Sequence, residues 1–287
     1  MASSASGTVA GASAITVVLP FYNEERFIGR TLESLAAQTA RPGRLVLVDN
    51  ASSDASARLV EDFLRQSGIE GRLVSEPRPG KINALETGAA LVTSPFVAFC
   101  DADTYYPPHY FETAAALFER RPDCAGVTAT NVSGVVPTSD DRLFVAKQTL
   151  MTSLLAKQCH AGGYGQIFRT DIFRAAGGYS AARWPFVLED HEIAHRIFKF
   201  GPFVTSRLMW CAPSDRRQDR ANVDWTLAER ILYHATPFAL KDWFFYDFLS
   251  KRFDARGLRN VNLRDRALFA PHISAGSPPG ASPAVAE

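Results

Sequence analysis

The sequence predicts an α/β protein built on a mostly parallel sheet flanked by helices. Short β-branched runs and helical patterns alternate four times from residue 15 onward, and each parallel connection needs such a crossover. The run Phe-Val-Ala-Phe-Cys at 96–100 shows no polar alternation, as expected of a strand covered on both faces. A chain of 287 residues that is 46% hydrophobic and 21% charged is ordinary globular material, with enough length for a sizeable core.

In order, the expected units are a strand at 15–20 with a helix at 25–37, a strand at 45–49 with a helix at 54–66, a strand at 73–76 with a helix at 81–92, and a strand at 96–103 with a helix at 108–120. The right-handed crossover rule places the loops that leave these strands on one sheet edge, where ligands of such folds bind. A further strand is expected within 124–134, after which the alternation stops. Next come a helix at 140–158, the glycine-rich Gly162-Gly163-Tyr164-Gly165, a strand at 166–169, and a helix closed by Gly177-Gly178. Residues 189–200 read as a helix stopped by Gly201-Pro202, 203–211 as a strand, and 223–252 as two amphipathic aromatic helices. Residues 1–14 and 274–287, rich in Ala, Ser, Gly or Pro, cannot bury enough apolar surface to order themselves.

Lys plus Arg number 31 against 30 for Asp plus Glu, so no global field favours nucleic acid. Cys100, Cys124, Cys159 and Cys211 lie far apart with apolar neighbours and read as buried thiols of a reducing compartment. No apolar stretch reaches ~18 residues and no basic-plus-apolar leader opens the chain, so a cytoplasmic protein is expected.

The chemistry concentrates at the predicted edge. Asp101-Ala102-Asp103 at the end of the fourth strand suits a hard divalent cation, which usually completes its shell with water and substrate phosphate. Pro20-Phe21-Tyr22-Asn23-Glu24 follows the first strand and offers a ring and short polar groups to a nucleobase, or equally a turn and helix cap. Asp49 ends the second strand as a hydrogen-bond acceptor, and Asp54 is placed to cap the next helix. Gly80-Lys81 brings close backbone and a positive charge to a helix start, but it is no P-loop, because Ser75 and Ile82 stand where Gly and Ser or Thr are required. Phe168 likewise breaks any dinucleotide-binding fingerprint at Gly163 and Gly165.

Taken together and in order, Pro-Phe-Tyr-Asn-Glu at 20–24, Val-Asp-Asn-Ala-Ser-Ser-Asp at 48–54, Gly-Lys at 80–81 with Ala84, Leu85 and Gly88, Asp-Ala-Asp at 101–103, Phe-Arg…Gly-Gly-Tyr at 168–179 and Glu-Asp at 189–190 resemble the family 2 glycosyltransferases of GT-A fold. The resemblance spans roughly residues 15–205. It implies an inverting transfer from a nucleoside-diphosphate sugar to a hydroxyl of a glycan or lipid-linked saccharide, as in cell-surface polysaccharide or glycoconjugate biosynthesis. Pro20, Tyr22, Asn23, Glu24, Asp49, Lys81, Asp101 and Ala102 would surround the donor nucleotide. Asp103, with Asp101, would hold Mn²⁺ or Mg²⁺, and Asp190, beside Glu189, would be the base. Inversion independently asks for a carboxylate on the acceptor side, opposite the charge that develops on the diphosphate. At helical spacing Asp190, Ala194 and Ile197 share a face, so the first turn can reach a cleft while the rest packs.

The organisation that follows is a catalytic domain at 15–222, with a nucleotide-sugar half at 15–123 and an acceptor half at 124–222, a helical extension at 223–273, and disordered ends. Two departures from the family pattern concern donor recognition: Glu86 stands where an amide is common, and Asn50 replaces a second acid. The Gln-x-x-Arg-Trp motif of processive members is absent, since Gln218 is followed by Arg220 and only later by Trp225, which points to addition of a single sugar. Arg216, Arg217 and Arg220 could close over a diphosphate or form a solvated basic loop.

His191-Glu192-Ile193-Ala194-His195 also matches the zinc-protease pattern His-Glu-x-x-His, although Phe198 occupies the glycine position of its extended form. A zinc hydrolase and a non-catalytic nucleotide-sugar binder are therefore the alternatives. Phe238, Leu240, Trp243, Phe244, Phe245, Phe248 and Leu249, interspersed with Lys241, Lys251, Arg252, Arg256 and Arg259, suit peripheral contact with an anionic membrane through 223–259, or packing on the domain.

Overall fold

The computed structural model describes residues 11–155, 162–214 and 225–263. Its first half follows the expected units: β1 (Ile15–Phe21), α1 (Ile28–Ala36), β2 (Arg44–Asp49), α2 (Ser56–Ser67), β3 (Gly71–Ser75), α3 (Lys81–Ala90) and β4 (Phe96–Phe99). β5 (Thr104–Tyr105) and α4 (Tyr110–Arg120) follow, then β6 (Gly126–Thr128), β7 (Thr130–Asn131) and α5 (Ser139–Leu154). β8 (Gln166–Arg169), α6 (Thr170–Ala175), α7 (Glu189–Ile197), β9 (Phe203–Val204) and β10 (Trp210–Pro213) complete the domain. The extension holds α8 (Leu227–Ala235), a π-helical segment (Trp243–Leu249) and α9 (Ser250–Ala255).

A seven-stranded sheet runs β3-β2-β1-β4-β8-β6-β9, and a three-stranded one runs β5-β10-β7. The first four strands are parallel, whereas β8 lies antiparallel between β4 and β6. Every residue of β1 is buried, Thr16 included, which accounts for its nearly continuous apolar run. β1 pairs with β2 as far as Phe21 but with β4 only as far as Val18, with Cys100 donating to the Val18 carbonyl. The next rung would run from the N–H of residue 20 to Cys100, and Pro20 has none. β4 therefore leaves the sheet at Asp101 and opens a notch.

Two cores cover the sheet. Ile15, Val17 and Leu19 face one with Leu32, Phe111 and Phe118, and Val18, Val46 and Val48 face the other with Leu85, Ile193 and Ile197. Helix α3 lies so close to β1 that a Cβ on Gly88 would sit 2.4 Å from Val18 Cγ1. A third core joins Trp184, Phe186 and Val187 to Tyr233, Phe244, Phe245, Leu249 and Phe253 of the extension. Each large ring so buried contributes roughly 1.5–3 kcal/mol.

Several expectations are corrected. The disorder expected over 1–14 does not reach 12–14, because a 3-10 turn there buries Ala12; residues 1–10 lie outside the described ones, as does the tail. The strand expected at 203–211 is two, β9 and β10, in different sheets, because the chain turns between them where the Met209 N–H returns to the Ser206 carbonyl. The two aromatic helices expected at 223–252 are present as α8 and as the π-helical segment that runs on into α9, and the second buries Phe244, Phe245 and Leu249 against Trp184. Phe244 and Phe245, two of the five aromatics assigned to a membrane, thus pack inside. Cys100, Cys124 and Cys211 are buried free thiols, and burial pushes Cys100 up to about 12; Cys159 lies outside the described residues. No described helix is long and apolar enough to cross a membrane.

Candidate active site

The notch beyond β4 holds the aspartate pair. Asp101 and Asp103 are 8% and 7% exposed, and the Asp101 amide donates to the Tyr106 hydroxyl at 3.0 Å, which fixes the strand exit. Tyr106 in turn donates to the Tyr164 carbonyl at 2.9 Å, and Thr31 donates to the Ala102 carbonyl at 2.8 Å. The Asp103 carboxylate accepts from Ser214 Oγ at 3.0 Å, a residue from just beyond β10.

Lys81 opens α3, the wrong end of a helix for a cation. Two carboxylates compensate: its Nζ lies 2.8 Å from Asp101 Oδ1 and 3.3 Å from Glu189 Oε1. One ammonium therefore spans the sheet edge and the first turn of α7. Burial raises the Glu189 carboxyl above its ordinary range, Lys81 opposes the shift, and the charge of Asp190 adds to it.

Asp190 is held for use. The Gly163 N–H donates to its Oδ2 at 2.6 Å, while the His191 N–H and Nδ1 both meet its Oδ1 at 2.9 Å. A Cβ on Gly163 would stand 3.3 Å from Asp190 Cβ and 3.5 Å from Lys81 Nζ, so the glycine lets backbone enter between them. The His191 ring lies edge-on to Trp225, centroids 5.0 Å apart. As the spacing predicts, Ala194 and Ile197 are fully buried behind the first turn.

Lys81, Asp101, Glu189 and Asp190 thus converge, with Asp103 two positions beyond Asp101. Other expected residues occupy the same rim with their polar groups turned to neighbouring loops. Asp49 accepts the Ser52 N–H at 2.9 Å, Asn23 Oδ1 accepts the Ser53 N–H at 2.8 Å, and the Glu24 N–H reaches Ser56 Oγ at 2.8 Å. Asp54, expected to cap α2, stands one residue before the N-cap position, Ala55, and accepts the Ser56 and Glu25 N–H groups at 2.9 and 3.1 Å. Pro20 is buried, and Tyr22 is half-buried where β1 gives way to its loop. Asn50, expected to bear on the donor, is a clip: its amide donates to the Glu76 and Arg78 carbonyls at 2.9 and 2.7 Å and accepts the Gly80 N–H at 3.0 Å. A carboxylate cannot make the two donations. Glu86 accepts the Ala181 N–H at 2.8 Å and so ties α3 to the stretch before α7. Arg216, Arg217 and Arg220 lie outside the described residues.

The zinc reading fails on geometry. Glu192 is 1% exposed and pairs bidentately with Arg196 at 2.8 Å, and His195 Nε2 meets Asp242 at 2.7 Å, so neither shares a ligand site with His191. Among the described residues no three His, Cys, Asp or Glu side chains converge as a metal cluster. The Asp101 and Asp103 oxygens are hard donors that fit Mg²⁺ or Mn²⁺, provided a ligand supplies further oxygens. Sequence reasoning missed Ser214 and Tyr106, whose partners are set by tertiary placement. It passed over Gly163, whose pairing with Gly162 was a signal of close approach.

The family model described as Glycosyl transferase family 2 matches residues 16–177. An uncharacterized glycosyltransferase of Nostoc sp. is 30% identical over 113 residues, 39% of this chain and 35% of its own length. The glucosyl-dolichyl phosphate glucuronosyltransferase of Haloferax volcanii is 27% identical over 180 residues, 58% of this chain and 55% of its own length. The chain thus spans between about a third and about half of those relatives. A mannosyltransferase from Pyrobaculum calidifontis, solved with GDP-Man and Mn²⁺, superposes with a TM-score of 0.62 at 21% identity, covering 93% of this chain and 76% of that one. That likeness establishes a GT-A type fold.

Proposed function

The chain belongs to glycosyl transferase family 2, and from the convergence at its sheet edge we propose that it transfers a sugar from a nucleoside-diphosphate sugar to an acceptor hydroxyl with inversion. The observation that carries this reading is Lys81, whose ammonium joins Asp101 of the notch to Glu189 beside Asp190. The nucleotide lies along the rim of Tyr22 and Asp49, with its diphosphate at Lys81, Asp101 and Asp103. Asp103, with Asp101, would hold Mg²⁺ or Mn²⁺, which supplies positive charge where the diphosphate gains negative charge.

In the displacement the acceptor oxygen bonds to the anomeric carbon, the bond from that carbon to the phosphate oxygen breaks, and its electron pair stays on the nucleoside diphosphate. Asp190 takes the acceptor proton, with its carboxylate plane set by Gly163 and His191. Glu189 keeps Lys81 from collapsing wholly onto Asp101. The acceptor is a glycan or a lipid-linked saccharide. The latter agrees with the named substrate of the Haloferax relative and would favour peripheral membrane contact through exposed Leu227, Ile231, Leu240 and Trp243.

The test is transfer from a panel of UDP-, GDP- and dTDP-sugars with Mg²⁺ or Mn²⁺. Asp190→Asn is expected to lower kcat by about 10²–10⁴-fold with donor affinity retained. Unchanged turnover would remove Asp190 as the base, and donor binding without any transfer by the native chain would leave only a nucleotide-sugar binder.

A further inference from the structure

A cleft of about 340 Å³ lies on the far flank of α7, between it and the extension, lined by Arg183, Arg196, Lys199, Asp242 and Tyr246. Its charges do not balance. Arg196, 5% exposed, is paired with Glu192, and Lys199 holds both oxygens of Asp242 at 2.7 and 2.8 Å. Arg183 has no carboxylate partner among the described residues, and its Nη1 reaches only the Ala176 carbonyl at 3.4 Å. Arg196 Nη1 donates to that same carbonyl at 2.5 Å. Two guanidinium groups therefore crowd one acceptor, and like charges so placed seek an anion.

We propose that this cleft binds a phosphate group, at a site separate from the sheet-edge carboxylates. Arg183 supplies the fork, Lys199 a point charge shared with Asp242, and Arg196 a buried floor where low polarity strengthens attraction. The proton of Tyr246 is committed to Glu192, so the hydroxyl sets the wall rather than donating to the ligand. A helix rises about 1.5 Å and turns about 100° per residue, which puts Arg196 about 9 Å along α7 from Asp190 and on another face. A phosphate in the cleft is therefore not the donor diphosphate, and the inference does not rest on the proposed transfer reaction. The group belongs either to a soluble phosphate monoester or to a phospholipid headgroup at the membrane.

Calorimetric titration of the full chain with inorganic phosphate at constant ionic strength tests the site. Binding is expected to weaken about tenfold or more in Arg183→Gln, to recover in part in Arg183→Lys, and to persist in Lys81→Met, since one charge-assisted bond is lost only in the first. Flotation with phosphatidic acid against phosphatidylcholine vesicles separates the sources. Capture by phosphatidic acid that Arg183→Gln abolishes places the phosphate on a lipid, and phosphate heat without flotation places it in solution. The proposal is overturned by the absence of both signals, or by binding that survives Arg183→Gln and vanishes in Lys81→Met. Thermal melts of the variants exclude loss of folding, which Arg183, being exposed, is not expected to cause.

Discussion

The rim loops beyond β1, β2 and β3 and the helix α7 face one another across the site, yet they are held by different physics. The rim is fastened mostly through backbone N–H and C=O groups: Asn23 with Ser52 and Ser53, Asn50 with the backbone of 76, 78 and 80, and the carboxylates of Asp49, Asp54 and Glu25 with N–H groups of the loops. Helix α7 and its C-terminal end are fastened by charge, through Glu192 with Arg196 and Tyr246 and through His195 and Lys199, which both meet Asp242. A rim pinned mostly through backbone groups, whose Glu76–Arg78 ion pair lies inside a single loop, depends less on pH and salt. A helix held by ion pairs from a distant segment responds to both.

The contrast is broken most severely at Lys81, the residue that touches both sides. Lys81→Met is expected to lower kcat/KM by about 10²–10³-fold, as for loss of one preorganised charge at a transition state, in steady-state assays over donor and acceptor. A loss confined to donor KM would assign Lys81 to the rim alone.

Asn50→Asp probes the rim by itself. It removes two donations and sets a carboxylate against two carbonyls, so chemical denaturation should show a loss of about 2–3 kcal/mol. Equal stability would mean the loops stand without the clip.

The smallest effect belongs to the charged side. Burial holds the His195 imidazole below its ordinary value of 6.5, so the unfolded chain binds more protons than the folded one below that pH. The stability this residue contributes is complete above about 6.5 and declines as the pH falls. His195→Gln should flatten that slope in denaturation curves taken between pH 7 and 5, and a parallel slope in both proteins would place the sensitivity elsewhere.

What the sequence disclosed follows from range. β1 to α4 announce themselves because each strand and its helix are neighbours in the chain, and Asp101, Lys81 and Asp190 were identified through motifs at strand ends and a helix start. β8 inserts antiparallel between β4 and β6 through pairings some 70 residues apart in the case of Phe96 with Arg169, which no local pattern encodes. Ser214 reaches Asp103 across 111 positions, and Asp242 reaches His195 across 47. Asn50 shows the same limit: the motif marks it only as a departure from an acid, and tertiary placement alone shows its amide giving and taking hydrogen bonds with the backbone of 76, 78 and 80.

Pro20 sits where β1 outlasts β4. A hydrogen-bond ladder left to itself tends to zip onward, and one more rung would draw Cys100 and the aspartates into the sheet. An imide nitrogen cannot close that rung. The mouth of the site is thus kept open by a missing hydrogen atom in a wholly buried strand, and it is inherited from strand register rather than from any loop.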